Sequence, residues 1–438
     1  MALGRVKTWG IEALLAVDLN TEFNNILDNA LSLISPLTGT LDFGSNPGTN
    51  VDYFTFDEQS SGAATNANEI GFYAKEAGGQ SEAFIREESS GDEVQVTSYG
   101  SVVYDNSIIN GDFRVAQRGT SFTAATTPAN NDDTYLLDRW ILLSDGNDTV
   151  DVSQSTAVVP AGFYSSMLLD TETANRKFGI LQILSARDSA KCIGRRVCLS
   201  FYARTTTGAV IENIRAAVLA WNSTADSVTS DVVSAWGAEG ANPTLVANWT
   251  FENTAANIAV TADSFAYHEI TDINIDTASA TNIAVFIWVD DTDAAVADFL
   301  YISGVRMGLG AGQAKPGHYS DELSRAMYYF EYQDYSVAAE QYVCGAQATT
   351  TAAAHGVLRF TRKRTTPSIS SSAAATFEVI LADGSAADAG GISFDNIGPG
   401  TARMAMTSVA GSPLVAGNAS IIRRDSTDNT YIAIDAEL

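Results

Sequence analysis

From Ser107 to Met307 the chain is written in short runs that suit β-strands, with no long helical stretch between them. The runs are Ser107–Gln117, Trp140–Leu143, Thr149–Ser155, Ser165–Asp170, Phe178–Leu184, Arg196–Arg204, Ile214–Trp221, Thr244–Phe251, Phe265–Ile273, Asn282–Val289 and Phe299–Met307. Turn-forming Gly, Asn, Asp and Ser punctuate them. Such a pattern leaves few options beyond an antiparallel sandwich. CLSFYART illustrates it: Leu199, Phe201 and Ala203 fall on one face, and Ser200, Tyr202 and Arg204 on the other.

The rest of the chain divides around this block. A helix is predicted from Asp18, whose carboxylate can cap free backbone N–H groups, to Ser35-Pro36. Leu19, Phe23, Ile26, Leu27 and Ile34 form its apolar stripe. One apolar face on a short helix needs a partner in water, so these residues are expected to serve oligomerisation or attachment. Residues 42–104 carry brief alternating runs, with Ile70, Phe72 and Ala74, then Ala83 and Ile85, then Val94 and Val96 on the inward face, and Phe84 facing away. Strands this short make a poor core alone, and three copies wound about an axis would supply one. Ser320 is expected to cap a short helix over Asp321–Met327, and Tyr328, Phe330 and Tyr332 to alternate as a strand after it. Strands at Gln341–Ala346, Gly356–Arg362, Thr376–Leu381, Gly391–Asn396, Arg403–Val409, Ala419–Arg424 and Tyr431–Ala436 form a last β-unit. The expected division is 1–41 attachment segment with helix, 42–104 short β-stalk, 105–335 jelly-roll domain and 336–438 C-terminal β domain.

Composition limits function. With 25 basic and 52 acidic residues the net charge is −27, which repels phosphate backbones and argues against nucleic acid as a partner. No run approaches the roughly 18 apolar residues of a membrane span, and the N-terminus lacks a signal-peptide cleavage pattern. Cys192, Cys198 and Cys344 fit no disulfide or metal spacing and read as small buried hydrophobes. His268, His318 and His355 sit in no catalytic motif, so the chain is read as non-enzymatic.

Two kinds of ligand site are open to the sequence. Trp236, Trp221 and Trp249, with Asn222 and Asn242 nearby, offer ring faces and amides of the sort that hold sugars, and Trp236 in Ala235-Trp236-Gly237 is the best exposed platform. Asp290, Asp291 and Asp293, like Asn131, Asp132 and Asp133, offer loop oxygens that a structural Ca2+ accepts. Solvated acids explain them equally. No other cofactor is expected. The basic group Arg359, Arg362, Lys363 and Arg364 can face an anionic polysaccharide or pair with the chain's own acids.

Several stretches resemble proteins of bacteriophage particles. NSIINGDFRVAQRGTSF followed by DRW resembles the opening strand of a jelly roll on phage tail fibres. GFYAKEAGGQSEAFIREESSGDEVQVTSYG resembles a fibre stalk element, and TWGIEALLAVDLNTEFNNILDN the start of many such fibres. CLSFYART and FLYISGVRMGLG are similar to strands of carbohydrate-binding jelly rolls, and KPGHYSDELSRAMYYFEY to the hinge that leaves that domain. FTRKRTTP matches a fibre-tip strand end only in part. The resemblance implies a phage tail fibre or receptor-binding virion protein, assembled in the host cytoplasm as a homotrimer. Its N-terminus would join other virion proteins and its sandwiches would adhere to a host-surface glycan. A head fibre, decoration protein or tail adaptor would share these modules, and a glycan-degrading tailspike is a further alternative.

Overall fold

Strand Arg196–Thr205 shows how the chain makes its core. Val197, Leu199, Phe201 and Ala203 point inward and are buried, while Tyr202 and Arg204 between them are half-buried on the other face. Each large side chain buried this way contributes about 1.5–3 kcal/mol. A computed structural model describes residues 71–77, 80–86, 93–96, 106–276, 279–292, 294–309, 317–338, 340–425 and 429–438.

Among the described residues two antiparallel sheets form a sandwich. The six-stranded sheet runs in the order Ala266–Asn274, Arg196–Thr205, Phe299–Gly308, Ser166–Thr171, Val150–Ser155, Ser121–Phe122. The seven-stranded sheet has Trp249–Phe251, Asn213–Trp221, Asn282–Val289, Phe178–Ile183, Ile141–Ser144 and Thr134–Tyr135 in line, with Ile258–Ala259 paired to Asn213–Trp221. Val152, Leu169, Phe201 and Ile302 of one meet Leu142, Ile180, Val218 and Val285 of the other. Strand Asn282–Val289 is buried throughout because its other face is covered as well. There Leu181, Leu219, Trp221, Phe286 and Trp288 form a second core beneath the chain between residues 222 and 257. The predicted run Thr244–Phe251 is therefore two strands: Thr244–Leu245 pairs within this cover, and Trp249–Phe251 joins the sheet.

The segment 107–117 is not the strand its sequence predicts. Asn110 and Phe113 take positive φ values of 57° and 58°, which breaks an extended run. Side chains satisfy its backbone instead. Asn110 receives Val115 N–H at 2.8 Å and donates to Val115 O at 2.8 Å and Asp138 O at 3.0 Å. Gly111 lies against the last sandwich strand, where a Cβ would collide with the Val305 carbonyl. Trp140 Nε1 donates to Asn110 O at 2.9 Å, so INGDF and DRW close on each other.

The same stretch anchors the C-terminal part of the chain. Gln117 donates to Asp138 Oδ1 at 2.7 Å and Phe330 O at 2.9 Å. Arg118 stacks at 3.5 Å over Phe330 and Arg139 at 3.6 Å over Tyr329. Both arginines pair with Glu437. Strand Phe330–Asp334, placed in the sandwich by a boundary at 335, pairs instead with Tyr431–Asp435, which also pairs with Ser368–Ser371. These three strands pack on a second seven-stranded sheet, ordered Ala386–Asp388, Phe377–Ile380, Ala419–Arg424, Tyr342–Thr350, Ala353–Arg359, Thr401–Thr407, Gly391–Asp395. The helix before them spans Tyr319–Met327, and its cap is His318 rather than Ser320, because the imidazole accepts Ser320 N–H.

Gly71–Ala77, Gln80–Arg86 and Glu93–Gln95 form a three-stranded antiparallel sheet. Its register sets Tyr73 opposite Phe84, with rings 5.9 Å apart, and both are buried. Phe72 is 48% exposed in the single chain, and Phe84, expected to face away, is buried against Tyr73. The helix stripe Leu19, Phe23, Ile26, Leu27 and Ile34 lies outside the described residues. No helix among the described residues is long and apolar enough to cross a membrane.

Candidate functional site

A cleft of about 540 Å3 opens at one edge of the sandwich. Three segments build it. The first is the INGDFRV turn, where positive φ at Phe113 turns the chain and places Arg114 in the cleft wall. Gln154 Nε2 donates to Phe113 O at 2.6 Å and joins that turn to strand Val150–Ser155. The second is the loop after that strand. Phe163 turns inward over Gly304, where a Cβ would come within 2.7 Å of the Phe163 ring, and packs edge-on against Tyr202 at 5.5 Å. Tyr164, the next residue, is thereby thrown outward and is 70% exposed. Ser165 Oγ donates to Asp112 O at 2.6 Å and Ser303 Oγ to Ser165 O at 2.7 Å, which fixes the loop's return. The third is the start of helix Tyr319–Met327, which places His318 and Tyr319 on the rim, with Tyr319 49% exposed.

The electrostatics are local. The Arg114 guanidinium lies 5.0 Å from the Tyr164 ring centroid, within cation–π range. Its Nε donates to Asp112 Oδ2 at 2.6 Å and its Nη1 to Gly317 O at 2.9 Å. Arg114 and Asp112 are nearly buried and cancel each other's charge. Among the described lining residues there is no carboxylate. The cleft thus offers two phenol faces with hydroxyl, amide and imidazole groups at the rim. Exposed ring faces with polar groups at the rim can stack against and hydrogen-bond a small polar ligand.

The residues singled out from sequence lie elsewhere. Trp221 and Trp249 are cross-strand neighbours with rings 5.3 Å apart and are buried, their indole N–H groups donating to Thr224 O and Thr229 O. No ring face is left for a ligand. Trp236 is half-buried, 6.1 Å from the Phe286 ring, and belongs to the cover over the second core. Asn222 is exposed beside these residues. Asn242 accepts from Arg215 Nη2 at 3.0 Å, and the same guanidinium binds Asn257 Oδ1 at 2.7 Å and Ala255 O at 2.6 Å. These residues hold the cover to the sheet.

Two of the three acids of the acidic loop are engaged within the chain. Asp290 lies 3.7 Å from Arg215 and accepts Gly240 N–H at 2.8 Å. Asp291 accepts Glu212 N–H at 3.0 Å, and burial pushes its carboxyl up to about 6. Asp293 lies outside the described residues. Nowhere among the described residues do three of His, Cys, Asp and Glu gather to hold a metal ion. Of the basic group, Lys363 is buried against Glu331 at 2.8 Å and Arg364 pairs with Asp226 at 3.1 Å, whereas Arg359 and Arg362 are exposed.

Tyr164 is not among the candidates that the sequence singles out. Its signal was present: an aromatic directly after Pro160-Ala161-Gly162-Phe163, in a turn between two strands.

No protein-family model matches the chain, and no curated protein matches it. Among solved structures, the enzymatically active domain of tailspike protein 4 of Bacteriophage CBA120 is similar over 47% of this chain, with 18% identity and a TM-score of 0.29. The chain covers 21% of that structure's length. A putative sugar binding protein from Bacteroides thetaiotaomicron is similar over 47% of this chain and 100% of its own, with 14% identity and a TM-score of 0.30. A xylan-binding domain from Paenibacillus barcinonensis is similar over 43% of this chain and 94% of its own, with 11% identity and a TM-score of 0.25.

Proposed function

We propose that this chain is a non-enzymatic fibre protein of a phage particle whose sandwich adheres to a host-surface glycan. The observation that carries the adhesion is the cleft between Tyr164 and Tyr319, with Arg114 behind one ring and Gln154, Thr156 and His318 around it. Pyranose rings present apolar C–H faces to aromatic rings and hydroxyls to rim groups, which is what this lining accepts. The virion assignment rests on the sequence resemblances of the leading helix, the stalk and the INGDF…DRW stretch. On this reading the N-terminus joins other virion proteins and three chains associate. Three weak sites on one fibre then gain avidity through effective concentration.

A glycan array probed with the intact chain and with Tyr164→Ala tests the adhesion. The side chain is exposed, so the variant should keep the wild-type circular dichroism and melting profile. We expect wild-type binding to at least one glycan and loss of about tenfold or more in affinity for the variant. Binding that Tyr164→Ala leaves unchanged rejects the cleft. Release of reducing ends from a bound glycan by the wild type rejects the non-enzymatic reading.

A further inference from the structure

We infer that the cleft takes an uncharged glycan rather than an acidic one, an inference that rests on the adhesion reading above. A sugar carboxylate or sulfate is held best by a cation with free, forked donors. Arg114 is the one Arg or Lys among the described lining residues, and two of its three nitrogens donate within its own chain. Nε donates to Asp112, Nη1 donates to Gly317 O, and Nη2 is buried 2.5 Å from the same Asp112 oxygen. The guanidinium lies 5.0 Å from the Tyr164 ring centroid, and with Nη2 buried it presents no two-nitrogen fork to the cleft. Asp112 removes its net charge as well.

What remains suits neutral hydroxyls. Gln154 donates one amide hydrogen to Phe113 O, which leaves its carbonyl oxygen to accept and a second amide hydrogen to donate. Thr156 is exposed and brings a hydroxyl that both donates and accepts. His318 uses Nδ1 on Ser320, leaving the other ring nitrogen for a ligand. Beyond the cleft the chain's net charge of −27 repels anions, within a screening length of about 8 Å at physiological salt.

The test uses the intact chain on an array of neutral hexose oligosaccharides, each matched to a form bearing one carboxylate or sulfate. The best ligand is then titrated in low salt and at about tenfold higher salt. Tyr164→Ala is run in parallel. We expect neutral members to bind about tenfold or more tighter than their acidic partners, with affinity changing less than about twofold with salt. Tighter binding of acidic members, weakened several-fold by salt and abolished by Tyr164→Ala, overturns this inference and leaves the cleft as the adhesion site. Absence of any glycan binding, or binding indifferent to Tyr164→Ala, overturns both.

Discussion

Single residues explain why the INGDF…DRW stretch has the form it has. Gly111 is small because the Val305 carbonyl occupies the space of a side chain, and its own carbonyl receives Val305 N–H at 2.8 Å. Gly111→Ala should destabilise the sandwich by about 3 kcal/mol, read as a lower denaturation midpoint. Arg139 and Glu437 are a buried pair. Arg139→Ala leaves the carboxylate without its nearest partner and should cost about 3–5 kcal/mol, read as a lower denaturation midpoint. Asp170 behaves in the opposite sense. Burial, with Glu172 and Asp151 nearby, raises its carboxyl to about 6, and its Oδ1 is buried without a hydrogen-bond partner. Its folded value lies above the unfolded one of about 3.9. The folded chain thus holds a proton that the unfolded chain releases, and stability falls as pH rises from about 4 through about 6. Asp170→Asn should raise the melting temperature at pH above about 7 and flatten the decline between about 4 and 6. An unchanged melting curve across that window would contradict this account.

At the scale of elements, alternation was legible and closure was not. Arg196–Thr205, Ala266–Asn274, Asn282–Val289 and Ala419–Arg424 lie within a residue or so of their predicted positions, because short apolar or alternating runs bounded by turn-forming residues are written in the sequence itself. Segment 107–117 has the composition of a strand, yet side-chain hydrogen bonds from Asn110 and Gln117 replace a ladder, and local propensity cannot register such distant partners. The tryptophans misled for a related reason. Their loop-rich surroundings suggested exposure, but Arg215 folds the segment back onto an apolar sheet face. Trp236→Ala should therefore lower stability by about 2 kcal/mol and leave glycan affinity unchanged. Arg215→Ala should free the cover, seen as new protease cleavage between residues 236 and 243.

Across the whole molecule, two sandwich-like units share one seam, where Arg118, Arg139 and Arg364 bind the last residues of the chain. That seam makes the site's support continuous with the C-terminal sheets. The hydrophobic side chains buried in the three-stranded sheet of residues 71–96, among those described, are Tyr73 and Phe84. We propose that three copies associate, and native mass spectrometry should then give a trimer for the intact chain; a monomer at micromolar concentration would count against it. The central claim, however, is where the ligand sits. A crystal of the intact chain soaked with the strongest neutral array ligand tests it directly. A pyranose ring is expected against Tyr164 and Tyr319, with hydroxyls toward Gln154 and His318. Density for the sugar over Trp221, Trp236 and Trp249, with the Tyr164 cleft free of it, would contradict the account.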